Sequence, residues 1–169
     1  MGGSRGGDAS ASTGFLIVVA VSLVAAILLI LAVVYNSGKA KRIASLYTAV
    51  AGPANQAQTA EVNAYHRDQR TSLAAAKKDL ANLIKTDTTF EDGIVAVDFP
   101  PGAGTHSAAR LVNADRALIK LFRQQEKATT LRQLQSFDRR DQSANALVAA
   151  QVQLTRLALG LPAASGQQF

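Results

Sequence analysis

One uninterrupted apolar segment dominates the pattern of hydrophobic and polar positions along this chain. Residues 15–35, FLIVVAVSLVAAILLILAVVY, contain no charged side chain and one weakly polar side chain, Ser22. As an α-helix this segment is about 31 Å long, which is enough to cross a bilayer core of roughly 30 Å. The pattern therefore predicts a transmembrane helix over residues 14–37, after a short flexible Gly/Ser-rich tail at residues 1–13.

A cleavable signal peptide is the alternative interpretation of the same segment. Gly38 and Ala40 provide small residues at the spacing of a cleavage site. However, the apolar run is much longer than the roughly 7–15 residues of a signal h-region, and few basic residues precede it. We therefore expect an uncleaved membrane anchor.

The segment after the anchor keeps a helical period. Its apolar residues fall at positions i, i+3, i+4 and i+7, namely Ile43, Leu46, Tyr47 and Val50. This spacing predicts an amphipathic stalk over residues 38–52. Gly52 and Pro53 are expected to end the stalk, with Pro53 in the first turn of the next helix.

The remaining pattern predicts a helical-bundle domain over residues 53–162. Its first helix is expected from about Pro53 to Lys85. The sequence from Thr88 to Glu91 has the form of a capping box, which favours a new short helix over residues 89–99. A strand is the alternative there, because Val95, Val97 and Phe99 alternate with polar or small residues.

Two further helices complete the predicted bundle, one from about Thr105 and one from about Asp138 to Leu159. The apolar residues of the last helix alternate spacings of three and four, as in bundle packing: Leu147, Ala150, Leu154 and Leu157. Gly160, followed by Leu161 and Pro162, is a typical helix terminator. We therefore predict an all-α protein, with an antiparallel bundle of three or four helices and a C-terminal tail at residues 163–169.

Composition agrees with a helical core and narrows the chemistry. Aromatic residues make up 5% of the chain and tryptophan is absent, which suits close helix packing better than a β-sandwich. The absence of cysteine excludes disulfides, thiolate metal sites and a lipidated N-terminal cysteine. The net charge is +6, but basic and acidic residues are interleaved, so a solvated helix surface is favoured over nucleic-acid binding.

Candidate catalytic or metal-binding side chains are isolated in the sequence. His66 and His106 have no ligand partner at helical spacing, and the loop before His106 lacks the pattern of a phosphate-binding loop. Asp115 lies on the helix near the apolar face of Leu111 and Leu118, where a buried ion pair is more often structural than catalytic. No catalytic residue, cofactor or metal ion is predicted, and we expect no enzyme activity.

Three short motifs carry a resemblance to a known class of proteins: Asp98-Phe99-Pro100, ARLVNAD at residues 109–115 and LALGLP at residues 157–162. With these motifs the chain resembles uncharacterised, Ala-rich extracytoplasmic helical bundles of actinobacterial membrane proteins and lipoproteins. The resemblance covers roughly residues 55–162. It implies a domain outside the cytoplasmic membrane, with the N-terminus in the cytoplasm. Local charge favours the opposite orientation, because Lys39, Lys41 and Arg42 follow the predicted span.

These patterns together predict a non-enzymatic, single-pass accessory or assembly subunit, or a scaffold, of a larger bacterial membrane complex, respiratory or transport. Its partners would be the lipid bilayer and other membrane-protein subunits. Contacts are expected at Ser22 and Ala26, a small-xxx-small pair in the anchor, and at Tyr47 as an exposed stalk residue. The alternative is an anchored module that binds a small ligand or lipid between its helices. An anchored hydrolase that uses His106 is a third hypothesis.

Overall fold

A computed structural model describes the backbone of residues 9–163 and the side chains of residues 37–102 and 104–163. The described backbone forms five α-helices: α1 (Ala9–Asp68), α2 (Leu73–Ala96), α3 (Ala103–Gln125), α4 (Leu131–Gln135) and α5 (Asp138–Ala158). No strand occurs in this part of the chain, so the predicted all-α class is confirmed. The alternative of a strand over residues 89–99 is wrong.

The chain divides into two compact units, Met1–Lys39 and Ala40–Phe169. In the first unit, α1 begins at Ala9, within the predicted tail of residues 1–13. The side chains of the predicted transmembrane segment, apart from that of Ser37, lie outside the described residues, as do those of Ser22 and Ala26. Over the residues that the structure describes, none of the helices is both long enough and apolar enough to cross a membrane.

The second unit is a helical bundle that begins earlier in the chain than predicted. Ile43, Tyr47 and Ala51 are buried in its hydrophobic core, so the predicted stalk packs as part of the bundle. Pro53 lies inside α1 and does not begin a new helix, which corrects the predicted break at Gly52-Pro53. Core packing of α1 on both sides of Pro53 accounts for this continuity, because burial offsets the one helical hydrogen bond that proline removes.

The first chain reversal of the bundle lies at residues 69–72 instead. Ser72 adopts an extended conformation and its Oγ accepts a hydrogen bond from the backbone N–H of Ala75 at 3.2 Å, which caps α2. From there α2 runs without a break to Ala96, so the predicted capping box at Thr88 is wrong. The Thr88 and Thr89 hydroxyls instead donate to the carbonyls four residues earlier, as threonines in a helix interior do.

In the C-terminal half of the bundle, the start of α3 and both ends of α5 lie within two residues of the predicted bounds, whereas α4 is a separate helix that the pattern did not predict. α3 begins at Ala103, and Thr130 caps the short α4 by accepting a hydrogen bond from the Gln133 N–H at 3.2 Å. α5 ends as predicted, with Gly160 at φ +69°. The N–H groups of Gly160 and Leu161 donate to the carbonyls of Leu157 and Arg156, which is the hydrogen-bond pattern of a Schellman motif.

α3 is the central helix of the bundle and packs against α2 and α5. The largest fully buried aliphatic side chains come from every described helix of the bundle except α1, namely Leu80, Leu83, Ile94, Leu111, Leu118, Leu134, Val148 and Val152. α1 contributes Tyr47, whose ring packs edge-on against Phe99 with the ring centroids 6.4 Å apart. The predicted exposure of Tyr47 is therefore wrong.

The inward face of α5 differs from the predicted one. Val148, Val152 and Thr155 are buried, whereas the leucines of the predicted core face are exposed: Leu147 by 50%, Leu154 by 45% and Leu157 by 63%. Since each residue turns the helix by about 100°, the buried set and the predicted core face lie roughly 150° apart around the helix axis. The bundle therefore uses the smaller β-branched side chains of α5 and leaves the leucines outside.

Candidate functional site

The exposed side of α5 carries a continuous apolar stripe, which we call the leucine face and define as Leu147, Ala150, Leu154 and Leu157. All four side chains are exposed. Their spacing of three and four residues aligns them along one side of the helix over about 15 Å. Isolated exposed leucines are ordinary on protein surfaces, whereas a contiguous apolar patch indicates an interaction site.

Charge is absent from the middle of α5 and is confined to its two ends. Residues 142–155 include no charged side chain. At the C-terminal end, the Arg156 guanidinium is engaged locally, because its Nε donates to the carbonyl of Pro162 at 2.9 Å. The leucine face is therefore flanked by glutamine, serine, threonine and small residues, and it offers a helical partner apolar contacts without charge repulsion.

A second unusual feature lies in the core, where three helices each place a polar side chain. We call Gln58 of α1, Asp87 of α2 and Asp115 of α3 the aspartate layer. Their exposures are 1%, 1% and 0%. Gln58 Nε2 donates to Asp87 Oδ1 at 3.1 Å. Among the described residues, neither oxygen of Asp115 has a hydrogen-bond partner, nor do Oδ2 of Asp87 and Oε1 of Gln58.

Burial changes the acidity of both aspartates in this layer. Desolvation raises the pKa of Asp87 to about 7, with the Gln58 hydrogen bond lowering it and the nearby Glu61 raising it. Desolvation raises the pKa of Asp115 to about 8, and the negative charges of Asp87 and Glu91 raise it further. The ion pairs that the structure describes, Arg67–Asp68 and Arg116–Glu91, involve neither aspartate of the layer.

A cleft between α1 and α2 has a mostly apolar lining. Its volume is about 500 Å³, within the usual range for ligand sites. The apolar part of its lining includes Val50, Pro53 and Phe90, and Glu61 and Lys85 also line it. Thr86 Oγ1 donates to Glu61 Oε1 at 3.0 Å. The cleft combines an apolar floor with one acidic and one basic group.

The two histidines lie apart from these features. His66 is exposed near the end of α1, where its Nδ1 is 2.9 Å from Nε2 of Gln69. His106 is exposed in the first turn of α3. Within the described part of the chain, no three histidine or acidic side chains are grouped so that they could hold a metal ion. His106, on which the hydrolase hypothesis depends, is therefore exposed to solvent.

Part of this arrangement is visible in the sequence. Asp115 is predicted near the apolar face of α3, and the structure buries that side chain completely. Asp87 is not predicted as a buried residue, because the predicted helix ends at Lys85. Leu83, Asp87, Phe90 and Ile94 share one helical spacing, and that spacing was the available signal.

Comparison with known proteins identifies no relative. No protein family, no curated protein and no solved structure matches this chain. The resemblance to actinobacterial extracytoplasmic domains therefore stays a prediction.

Proposed function

We propose that this chain is a non-enzymatic, single-pass membrane protein that serves as an accessory or assembly subunit of a larger bacterial membrane complex, respiratory or transport. The anchor would be residues 14–37, with the N-terminus in the cytoplasm and the bundle outside. The apolar segment of residues 15–35 supports the anchor. The observation that carries the subunit role is the leucine face of α5, which the bundle leaves exposed.

The occupant that fits the leucine face is an apolar helix of another membrane-anchored subunit. Spacings of three and four residues match the ridges of a second helix. The face itself is small, since one alanine and three partly exposed leucines cover far less than the roughly 800 Å² per partner of a standard interface. A soluble partner would therefore bind weakly, whereas a partner anchored in the same bilayer gains from the high effective concentration.

A pull-down of the full chain tests this proposal. The triple variant L147Q/L154Q/L157Q should lose the stoichiometric partners that the wild-type chain retains through a C-terminal tag in mild detergent. Its melting temperature should stay close to that of the wild type, because the three leucines are exposed in the bundle. Val95→Gln is the matched control, since Val95 is 63% exposed but lies on α2. Recovery of the wild-type chain alone, or equal recovery of partners by the triple variant, would contradict the proposal.

The proposed orientation can be tested separately by cysteine labelling, because the chain contains no native cysteine that would also react. Gln142 is exposed on α5, so Gln142→Cys should react with a membrane-impermeant thiol reagent added to intact cells. Labelling only after the cells are lysed would place the bundle in the cytoplasm.

The cleft between α1 and α2 supports a second candidate function, the binding of a lipid or another small apolar ligand. The expected ligand is an amphiphile, because an apolar floor lies beside Glu61 and Lys85. Native mass spectrometry of the membrane-extracted chain should then show a bound small molecule. Ala57→Leu, which adds bulk to the cleft lining, should reduce its occupancy, whereas Val95→Gln should not. A ligand-free mass for the wild-type chain would contradict this function.

A further inference from the structure

The aspartate layer has too many hydrogen-bond acceptors for its donors. Four oxygens of Gln58, Asp87 and Asp115 lack a partner among the described residues, and a Gln58 amide hydrogen is already donated to Asp87. Ionised carboxylates only accept hydrogen bonds, whereas a protonated carboxyl group is also a donor. A proton on either aspartate would therefore supply the donor that these buried oxygens lack.

The charges around the layer also favour protonation. On α1 the group that acts on Asp87 is Glu61. On α2 the group that acts on Asp115, besides Asp87 itself, is Glu91. Glu61 and Glu91 are both acidic, so each raises the pKa of the aspartate on which it acts.

No cation is among the groups that shift the pKa of Asp87 or Asp115, and three described arginines act on groups outside the layer. Arg116 of α3 is largely exposed and its Nη2 lies 2.7 Å from Oε1 of Glu91. On α5, Arg140 acts on Asp141, and Arg156 acts on Tyr47 and donates to the carbonyl of Pro162. A fully ionised layer would thus place two negative charges in the core without a described counter-ion, which is a strongly unfavourable arrangement.

We propose that the aspartate layer is a proton-binding site in the core of the bundle, which holds α1, α2 and α3 together when Asp87 and Asp115 are protonated and loosens their packing when both ionise. The site would make the rigidity of the bundle respond to the pH of the compartment that it faces. This inference does not depend on the membrane orientation or on the partners of the chain.

The direction of the effect follows from proton linkage. Both aspartates bind a proton more tightly in the folded chain than in the unfolded chain, where their pKa is near 3.8. Their stabilising contribution is therefore complete below about pH 4. It declines as the pH rises through 7 for Asp87 and 8 for Asp115, and it is lost above those values.

Carboxyl ¹³C NMR of the full chain in detergent micelles tests the site directly. The side-chain carboxyl signals of Asp87 and Asp115, assigned through their own backbone nuclei, should titrate with midpoints above pH 6. Asp92 is exposed on α2 and serves as the internal control. This measurement uses the wild-type chain, so it does not depend on whether a variant folds. Midpoints below pH 5 for both buried aspartates would overturn the proposal.

Thermal unfolding tests the consequence for the bundle. The melting temperature of the wild-type chain should fall by on the order of 10 °C between pH 5 and pH 8.5. Asp115→Asn should reduce this fall, and Asp92→Asn should leave it unchanged. A melting temperature independent of pH would overturn the proposal. A rise on adding Ca²⁺ at pH 8.5 that Asp115→Asn abolishes would identify a metal ion as the occupant, and would overturn it as well.

Discussion

The side-chain amide of Gln125 donates a 2.6 Å hydrogen bond to Oδ1 of Asp141, which joins α3 to α5 in the core of the bundle. Its oxygen accepts a second bond, of 2.7 Å, from the hydroxyl of Tyr65 on α1. All three side chains are buried. One amide therefore connects three helices, and both of its neighbours depend on it for their hydrogen bonds.

Replacing Gln125 with leucine should lower the free energy of unfolding by about 2–4 kcal/mol, because it leaves a buried hydroxyl and a buried carboxyl group without these bonds. Denaturation in urea at pH 7 measures the loss. The matched control is Gln124→Leu, at an exposed neighbouring position, which should change stability by less than about 0.5 kcal/mol. Equal stability of the two variants would show that the connection contributes nothing.

The same variant makes a distinct prediction about acidity. Burial raises the pKa of Asp141 to about 7, and the Gln125 hydrogen bond lowers it. Without that bond the carboxyl group should titrate at a higher pH than in the wild-type chain. Carboxyl NMR of Gln125→Leu at a temperature where it is folded measures this shift, and a shift to lower pH would contradict the assigned role of the bond.

Gly93 of α2 lies close against Val50 of α1. A Cβ atom at this position would lie 2.5 Å from Cγ1 of Val50. Gly93→Ala should therefore destabilise the bundle by about 1–2 kcal/mol, since overpacking outweighs the gain in helix propensity. At Gly52, inside α1, an added Cβ atom would meet no other atom within 4 Å, so Gly52→Ala should instead stabilise by about 0.5–1 kcal/mol.

A double variant shows whether the contact with Val50 is the cause. Val50→Ala removes the atoms that the added methyl group would meet. In the V50A/G93A chain the two changes should therefore cost less than the sum of their separate effects, by about 1 kcal/mol in thermal unfolding. If the effects of the two substitutions simply add, the contact with Val50 is not the cause of the destabilisation by Gly93→Ala.

The two faces of α5 should respond differently to truncation. Val152→Ala removes buried atoms and should cost about 1–3 kcal/mol. Leu154→Ala removes a larger but 45% exposed side chain, and in the isolated chain it should cost less than about 0.5 kcal/mol. Urea denaturation of both variants measures the contrast. A greater loss of stability for Leu154→Ala than for Val152→Ala would mean that the leucine face points into the bundle, as the spacing alone predicts.

This contrast shows how far a periodic pattern can be interpreted. α5 carries two apolar stripes at helical spacing, and its sequence contains no information that selects which stripe meets the rest of the bundle. The better match to bundle packing was the leucine stripe, yet the structure buries Val148 and Val152. The choice depends on the shape of the surface formed by the other helices, which local periodicity does not encode.

Helix ends were predictable where a local capping interaction fixes them and unpredictable where tertiary packing overrides propensity. Gly160 requires a positive φ, so the end of α5 follows from that residue and its neighbours. Pro53 is a strong helix breaker in isolation, but α1 continues through it because both flanking segments are buried. The true break at Ser72 had only a weak signal, a capping serine among polar residues.

Tyr47 combines a well-packed ring with an unpartnered hydroxyl group. The ring meets Phe99 edge-on, the side chain is fully buried, and the hydroxyl has no hydrogen-bond partner among the described residues. Burial raises its pKa to about 12, so the hydroxyl stays protonated and its cost is that of a neutral polar group removed from water.

Tyr47→Phe should therefore stabilise the bundle, by about 1 kcal/mol, because it keeps the aromatic contact and removes the unpaired hydroxyl. Tyr47→Ala should destabilise it by about 3–5 kcal/mol through loss of the ring. Thermal unfolding of the full chain at pH 7 measures both changes. If Tyr47→Phe were destabilising, the hydroxyl would have to form a hydrogen bond in solution, which would contradict this account of its cost.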